Sequence, residues 1–200
     1  MSKNLEFLFD FGGPNSYLAY KMLPDLCART GAQVIYVPVL LGGLFKLTNN
    51  QAPMMRYAET PAKQKYEMLE FQRFVKAHAI PFKMNPCFPL NTLNVMRGAV
   101  AAQRLGCFAP YVDAVMTAMW QDAADLDNID VVHDILDKAG LDSAALLALA
   151  DYPEVKAELM ANTEAAAKRG AFGVPTFFVD EEMFWGKERL GQVEVALTKS

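Results

Sequence analysis

The sequence predicts an α/β fold in which a four-stranded mixed sheet, flanked by helices, carries a large all-helical insertion. Three observations predict it. A strand, a helix and a second strand follow one another with short links inside the first 41 residues, a βαβ unit whose two strands run parallel. Residues 42–169 then read as one helical stretch after another, almost without strand signal. Two short strand runs and a last helix close the chain. Residues 1–41 and 170–200 are therefore expected to build one unit, and 42–169 an inserted helical one.

The elements follow from local chemistry. Leu5-Glu6-Phe7-Leu8-Phe9-Asp10-Phe11 is a short aromatic run stopped by Gly12-Gly13-Pro14, the pattern of a mostly buried strand and its turn. Pro14 suits a first helical position, and Tyr17, Leu18, Met22, Leu23 and Leu26 recur at helical spacing up to Gly31, a C-terminal glycine. Residues 33–39 return as the second strand. Helices are expected over 62–77, between Pro61 and Pro81, and from an Asn91 N-cap through Leu105, closed by Gly106. Segments 108–121, 130–139, 142–150 and 153–169 follow, Asp130 and Asp142 opening theirs. Residues 173–180 have strand composition, 182–185 pair with them across an acidic turn, and 188–197 form a final amphipathic helix.

Composition bounds the function. Of 200 residues, 52% are apolar and 21% charged, which places the chain with folded domains rather than disordered ones. The net charge is −4 and the basic residues are scattered, so no nucleic-acid footprint exists. No apolar run reaches a membrane-spanning length. Glu6 stands where the apolar stretch of a signal peptide would begin, so a cytoplasmic location is expected. Cys27, Cys87 and Cys107 fit neither a disulfide framework nor a zinc site, and are expected to be reduced and largely buried. No metal centre is expected. His78 and His133 are placed on helix surfaces without a role.

This order of elements, with Phe-Asp-Phe-Gly-Gly-Pro-Asn-Ser-Tyr-Leu-Ala at 9–19 and Gly-Val-Pro-Thr-Phe at 173–177, resembles a thioredoxin-fold family. It is similar over nearly the whole chain to the 2-hydroxychromene-2-carboxylate isomerases and kappa-class glutathione transferases, a DsbA-like branch without the redox cysteine pair. Further matches are Pro38-Val39-Leu40-Leu41-Gly42-Gly43 with Lys46, Asn50-Gln51-Ala52-Pro53, Phe88-Pro89-Leu90-Asn91 with Arg97, and Phe184-Trp185-Gly186 with Arg189.

The resemblance implies glutathione as cofactor, a small aromatic substrate and a homodimer. At the start of the first helix, unpaired N–H groups and the helix dipole favour an anion, which in the family is the thiolate of bound glutathione. With no cysteine before position 27, disulfide exchange at this site is chemically impossible. The family usually carries a serine before the helix-opening proline, and its hydroxyl meets the sulfur; here that residue is Gly13. Loss of such a bond is worth about 1.5–3 kcal/mol, roughly one to two pKa units for the thiol. The main-chain N–H groups of Asn15 and Ser16 remain, and the side chains of both lie in the first turn. Either these take over, or Ser16 bonds only backbone and Asn15 faces solvent.

The rest of the site is likewise carried over by resemblance. The Val174-Pro175 peptide is expected to be cis, with Val174 N–H and C=O pairing the cysteinyl part of glutathione in the manner of an added strand. Lys46 and Asn50 hold carboxylates, Glu188 receives the γ-glutamyl amine, Lys187 is a further carboxylate partner, and Trp185 flanks them. Phe88, Leu90, Met54 and Met55 suit an apolar pocket, with Arg97 or Lys46 as cation for an aromatic keto acid. The implied activity is glutathione-dependent isomerisation by reversible thiolate addition to an unsaturated carbon. The alternatives are a kappa-like transferase or peroxidase, or a binding module of low turnover because Gly13 replaces the serine.

Overall fold

The computed structural model describes residues 4–199. Its sheet has four strands: β1 (Asn4–Phe9), β2 (Gln33–Pro38), β3 (Thr176–Val179) and β4 (Glu182–Trp185), in spatial order β2-β1-β3-β4. β1 pairs with β2 in parallel, from Asn4↔Gln33 to Phe9↔Pro38, and with β3 antiparallel, from Leu5↔Val179 to Leu8↔Thr176. β3 and β4 form the hairpin, Val179 opposite Glu182, and Asp180 at its turn takes φ +53°.

Both faces of the sheet are covered, which is why β1 reads as an apolar run rather than an alternation. Leu5, Phe7 and Phe9, with Phe177 and Val179, enter the main core beside α1 (Pro14–Thr30) and α10 (Leu190–Thr198). Phe7 stacks on Phe177 with ring centres 5.3 Å apart. Leu8 and Phe178 point the other way, onto Leu44 of α2 (Leu41–Thr48) and Ala166 of α9 (Pro153–Lys168). The helices between are α3 (Pro53–Arg56), α4 (Pro61–Ala77), α5 (Leu93–Arg104), α6 (Phe108–Thr117), α7 (Ile129–Lys138) and α8 (Ser143–Ala150). The apolar cluster on the first face runs unbroken into them. None of the described helices is long and apolar enough to cross a membrane.

The boundaries depart from expectation where a side chain is needed elsewhere. β1 stops at Phe9, not at 11, because Asp10 turns inward. The segment at 108–121 is α6 followed by a π-helical turn, Ala118–Asp122, which places the Trp120 indole inside, donating to Phe11 C=O at 2.8 Å. α5 is capped by Thr92 rather than Asn91, although the Asn91 side chain still accepts the Leu93 N–H. Asn128, not Asp130, caps α7, and Asp142 caps α8 as expected. The last helix begins with a 3₁₀ turn, Lys187–Arg189. Cys87 is exposed and Cys27 and Cys107 half-buried, so the thiols are less enclosed than their residue type suggests. His133 has a partner after all: its Nδ1 lies 2.8 Å from the Ser143 hydroxyl.

Candidate functional site

The site grows out of the turn after β1. Asp10 is 1% exposed. Its Oδ1 accepts the Gly12 N–H at 2.8 Å and the Thr92 hydroxyl at 2.7 Å, and its Oδ2 accepts the Leu41 N–H at 2.8 Å. Burial pushes its carboxyl above the ordinary value, against these hydrogen bonds, of which that from Leu41 pulls hardest. One side chain thus joins the end of β1, the start of α2 and the start of α5. Its own carbonyl accepts the Gly13 N–H at 3.0 Å.

That arrangement consumes the amides before the helix. Gly13 is the N-cap of α1 and Pro14 the first helical residue. The Ser16 and Tyr17 N–H groups both donate to Gly13 C=O, at 2.9 and 3.1 Å. The Ser16 amide, expected to serve an anion, is therefore spent. The N–H that stays free at this helix start, among the described residues, is that of Asn15. Two side-chain atoms beside it, Ser16 Oγ and Asn15 Oδ1, are buried without a partner.

Facing the turn is the cis Val174–Pro175 peptide, as expected. A second cis bond, Phe88–Pro89, has no counterpart in the sequence reading. A Cβ placed on Gly13 would lie 3.1 Å from Val174 Cγ2, so helix start and loop are in contact. The loop is tied by Thr176 Oγ1 donating to Gly173 C=O at 2.7 Å and by Gly186 N–H donating to Pro175 C=O at 2.9 Å. Neither Val174 N–H nor its C=O has a hydrogen-bond partner among the described residues. Asn50 Nδ2 donates to Phe172 C=O at 2.9 Å, which joins the end of α2 to the same loop. Trp185, 45% exposed, packs on Phe172 with ring centres 4.9 Å apart.

Other expected residues separate from this centre or are already engaged. Lys46 is exposed in the last turn of α2. Beyond it Asn49, Asn50, Gln51 and Arg56 line a polar hollow of about 170 Å³. Arg56 was not legible as a site residue, since it lies three residues past the matching Asn-Gln-Ala-Pro stretch. Lys187, expected to hold a ligand carboxylate, is 5% exposed, ion-paired with Glu188 and set over the Phe74 ring at 4.9 Å; it points inward. Glu188 is consequently the half of that pair that reaches solvent. Phe88 and Leu90 are partly buried on the main core, Phe88 with its ring 5.8 Å from Trp120, the indole that holds Phe11. Met54 and Met55 are exposed on α3. Arg97 acts on Asp151 at the end of α8: Lys156 foremost, and Arg97 more weakly, hold that carboxyl below its ordinary value.

The comparisons with known proteins match this geometry. A DSBA-like thioredoxin domain model matches residues 4–198. The chain belongs to the DsbA-like thioredoxin family. Within it, the chain is 30% identical over 194 residues to the 2-hydroxychromene-2-carboxylate isomerase of Sphingobium xenophagum, covering 97% of each. It is 29% identical to the enzyme of the same name from Pseudomonas putida, over 96% of this chain and 93% of that one. The kappa 1 glutathione S-transferase of Rattus norvegicus is 26% identical over 93% of this DsbA-like chain and 87% of its own. A solved 2-hydroxychromene-2-carboxylate isomerase superposes with a TM-score of 0.84 at 28% identity, over 97% and 94% of the two chains. These relatives are isomerases and a transferase.

Proposed function

We propose that this chain is a glutathione-dependent isomerase of the 2-hydroxychromene-2-carboxylate type, acting on a small unsaturated aromatic keto acid. The observation that carries the reading is the pair of buried, unpartnered polar atoms, Ser16 Oγ and Asn15 Oδ1, at a helix start whose remaining free amide is Asn15 N–H. Buried polar atoms without partners are rare in folded proteins, and here the donor of the two, the Ser16 hydroxyl, stands in the first turn of a 17-residue helix whose dipole favours an anion. When bound, the tripeptide thiol supplies a nucleophile that adds to and leaves an unsaturated carbon.

The residues present fit that group. Val174 N–H and C=O are free to pair with a peptide backbone, as an added strand does. Asn15 N–H and the helix dipole favour a sulfur anion over a thiol. Arg56 lines the hollow with Asn50 and supplies positive charge for carboxylates, Lys46 is exposed in the last turn of α2 just before it, and the exposed tip of Glu188 suits an ammonium. Trp185 screens the loop, and Phe88 and Leu90, partly buried on the core, offer an apolar wall for an aromatic ring. The reading extends to a cytoplasmic homodimer, for which light scattering of the purified chain is the check.

Calorimetry with glutathione, together with a screen of cis and trans aromatic enone acids, tests the proposal. Binding with glutathione-dependent interconversion is the expected result; no binding by the purified chain sinks it. Gly13 favours a second reading, because the hydroxyl that the family resemblance implies at that position is absent. On that reading the enzyme transfers glutathione or reduces peroxides, or binds the tripeptide with little turnover. Assays with a chloro-dinitro-arene and a hydroperoxide separate these.

A further inference from the structure

We propose that Ser16 is the hydroxyl donor to the ligand sulfur, taking over from the chain's first turn the role for which position 13 has no side chain. This deepens the proposed function and rests on it. Ser16 is 0% exposed and its Oγ has no partner. Four hydroxyls farther along their helices are satisfied by the backbone. Thr30, Thr48, Thr163 and Thr198 each donate to the carbonyl four residues back, at 2.9, 2.8, 2.7 and 2.9 Å. That bond is the usual way for a helical hydroxyl to avoid an unpaired proton. Ser16 stands in the first turn, where the residue four back precedes the helix, so that bond is not open to it and its buried hydroxyl is left without a partner.

Its direction is fixed by Gly13. A Cβ built on Gly13 would stand 2.8 Å from Ser16 Oγ, closer than real Cβ contacts come. The hydroxyl therefore packs directly against Gly13, in the space a side chain there would need. Val174 Cγ2 of the facing loop lies 3.1 Å from where that Cβ would stand, and the free Asn15 N–H belongs to the same helical turn. An anion seated on that amide meets a hydroxyl whose proton has no other use, and two donors then replace one. Positions 13 and 16 are coupled in space, since a Cβ at 13 would meet the Ser16 hydroxyl where it now lies.

The pH titration of bound glutathione, followed by the ultraviolet difference absorbance of the thiolate, tests this, with S-methylglutathione as a ligand that binds without a titrating thiol. In Ser16→Ala we expect S-methylglutathione affinity to stay within about twofold, the thermal midpoint to hold or rise, and the thiol pKa to climb by about one unit, roughly tenfold less thiolate at neutral pH. Gly13→Ser alone is expected to leave that pKa within a few tenths of a unit. Gly13→Ser with Ser16→Ala is expected to restore it. A wild-type pKa in Ser16→Ala overturns the assignment of Ser16 and leaves the proposed function standing, whereas failure of the wild-type chain to bind either tripeptide overturns both. A lower pKa from Gly13→Ser alone, showing that two hydroxyls act together, overturns the coupling of the two positions.

Discussion

The Thr92 hydroxyl donates to Asp10 Oδ1 at 2.7 Å, joining residues 82 positions apart. The same carboxylate accepts the N–H groups of Gly12 and Leu41, so Asp10→Ala leaves three donors without an acceptor. Each buried orphan costs about 1–3 kcal/mol. We expect Asp10→Ala to lose about 3 kcal/mol or more in urea unfolding. Asp10→Asn keeps one oxygen, enough for Gly12 and Thr92, and is expected to lose about half as much. An Ala variant of wild-type stability would show that this junction holds nothing.

The pH dependence of the same residue has a definite sign. Burial raises the Asp10 carboxyl in the folded chain, so between its unfolded value near 4 and its higher folded value the native state keeps a proton that the unfolded chain has released. Stability contributed by Asp10 is therefore fully present below the unfolded value and is lost as pH rises through the folded one. Urea midpoints of the wild type and Asp10→Asn, measured across the acid range, are expected to move so that the wild type gains on the variant as pH falls. A difference that grows with rising pH would reverse this assignment.

Helices α5 and α6 meet through a glycine. Tyr111 Oη donates to Val95 C=O at 2.8 Å, and a Cβ on Gly98 would stand 2.0 Å from that Oη and 2.8 Å from Cζ. Alanine in a helix interior ordinarily gains about 1 kcal/mol over glycine. Here the collision outweighs it, since both helices are packed into the core and overpacking costs about 1–3 kcal/mol or more. Gly98→Ala is expected to lower the thermal midpoint by several degrees. Tyr111→Phe removes the nearest atom but not Cζ, so the double variant should be less unstable than the sum of the two single changes.

What was legible in the sequence was short in range. The aromatic run of β1, Pro14 at the first turn of α1, and Gly31 at its end with φ +69° each declare themselves through neighbours. So did the Gly13-Pro14 and Val174-Pro175 pairs that face each other. Asp10 was passed over because a carboxylate at the end of a strand reads as a turn residue, while the partners that hold it inside lie at positions 41 and 92. Trp120 reads as part of a plain helix because a π-helical turn carries no pattern of its own. Lys187 reads as a partner for a ligand carboxylate because its enclosure comes from Phe71 and Phe74, on a helix more than a hundred residues earlier. Ser16 could be named as an open alternative but not chosen, since spacing alone does not show which hydroxyls have been left without partners.

Lys187 and Glu188 give the last prediction. The ammonium is enclosed, with the Phe74 ring centre 4.9 Å and the Phe71 ring centre 5.7 Å away, while the Glu188 side chain keeps 58% of its surface in solvent. Removing the two partners is therefore unequal. Glu188→Gln leaves an enclosed cation with ring faces as its main company and is expected to cost about 1–2 kcal/mol, reduced by salt because the carboxylate is wet. Lys187→Met keeps the apolar stem against the rings and removes the charge, so it should be neutral or slightly stabilising. The two changes together should behave like Lys187→Met alone, because the enclosed charge is gone. If Glu188 receives the γ-glutamyl ammonium, Lys187→Met also frees it for the ligand and should tighten glutathione binding by about threefold, under 1 kcal/mol. Unchanged or weaker binding in a stably folded Lys187→Met would assign Glu188 to the lysine alone.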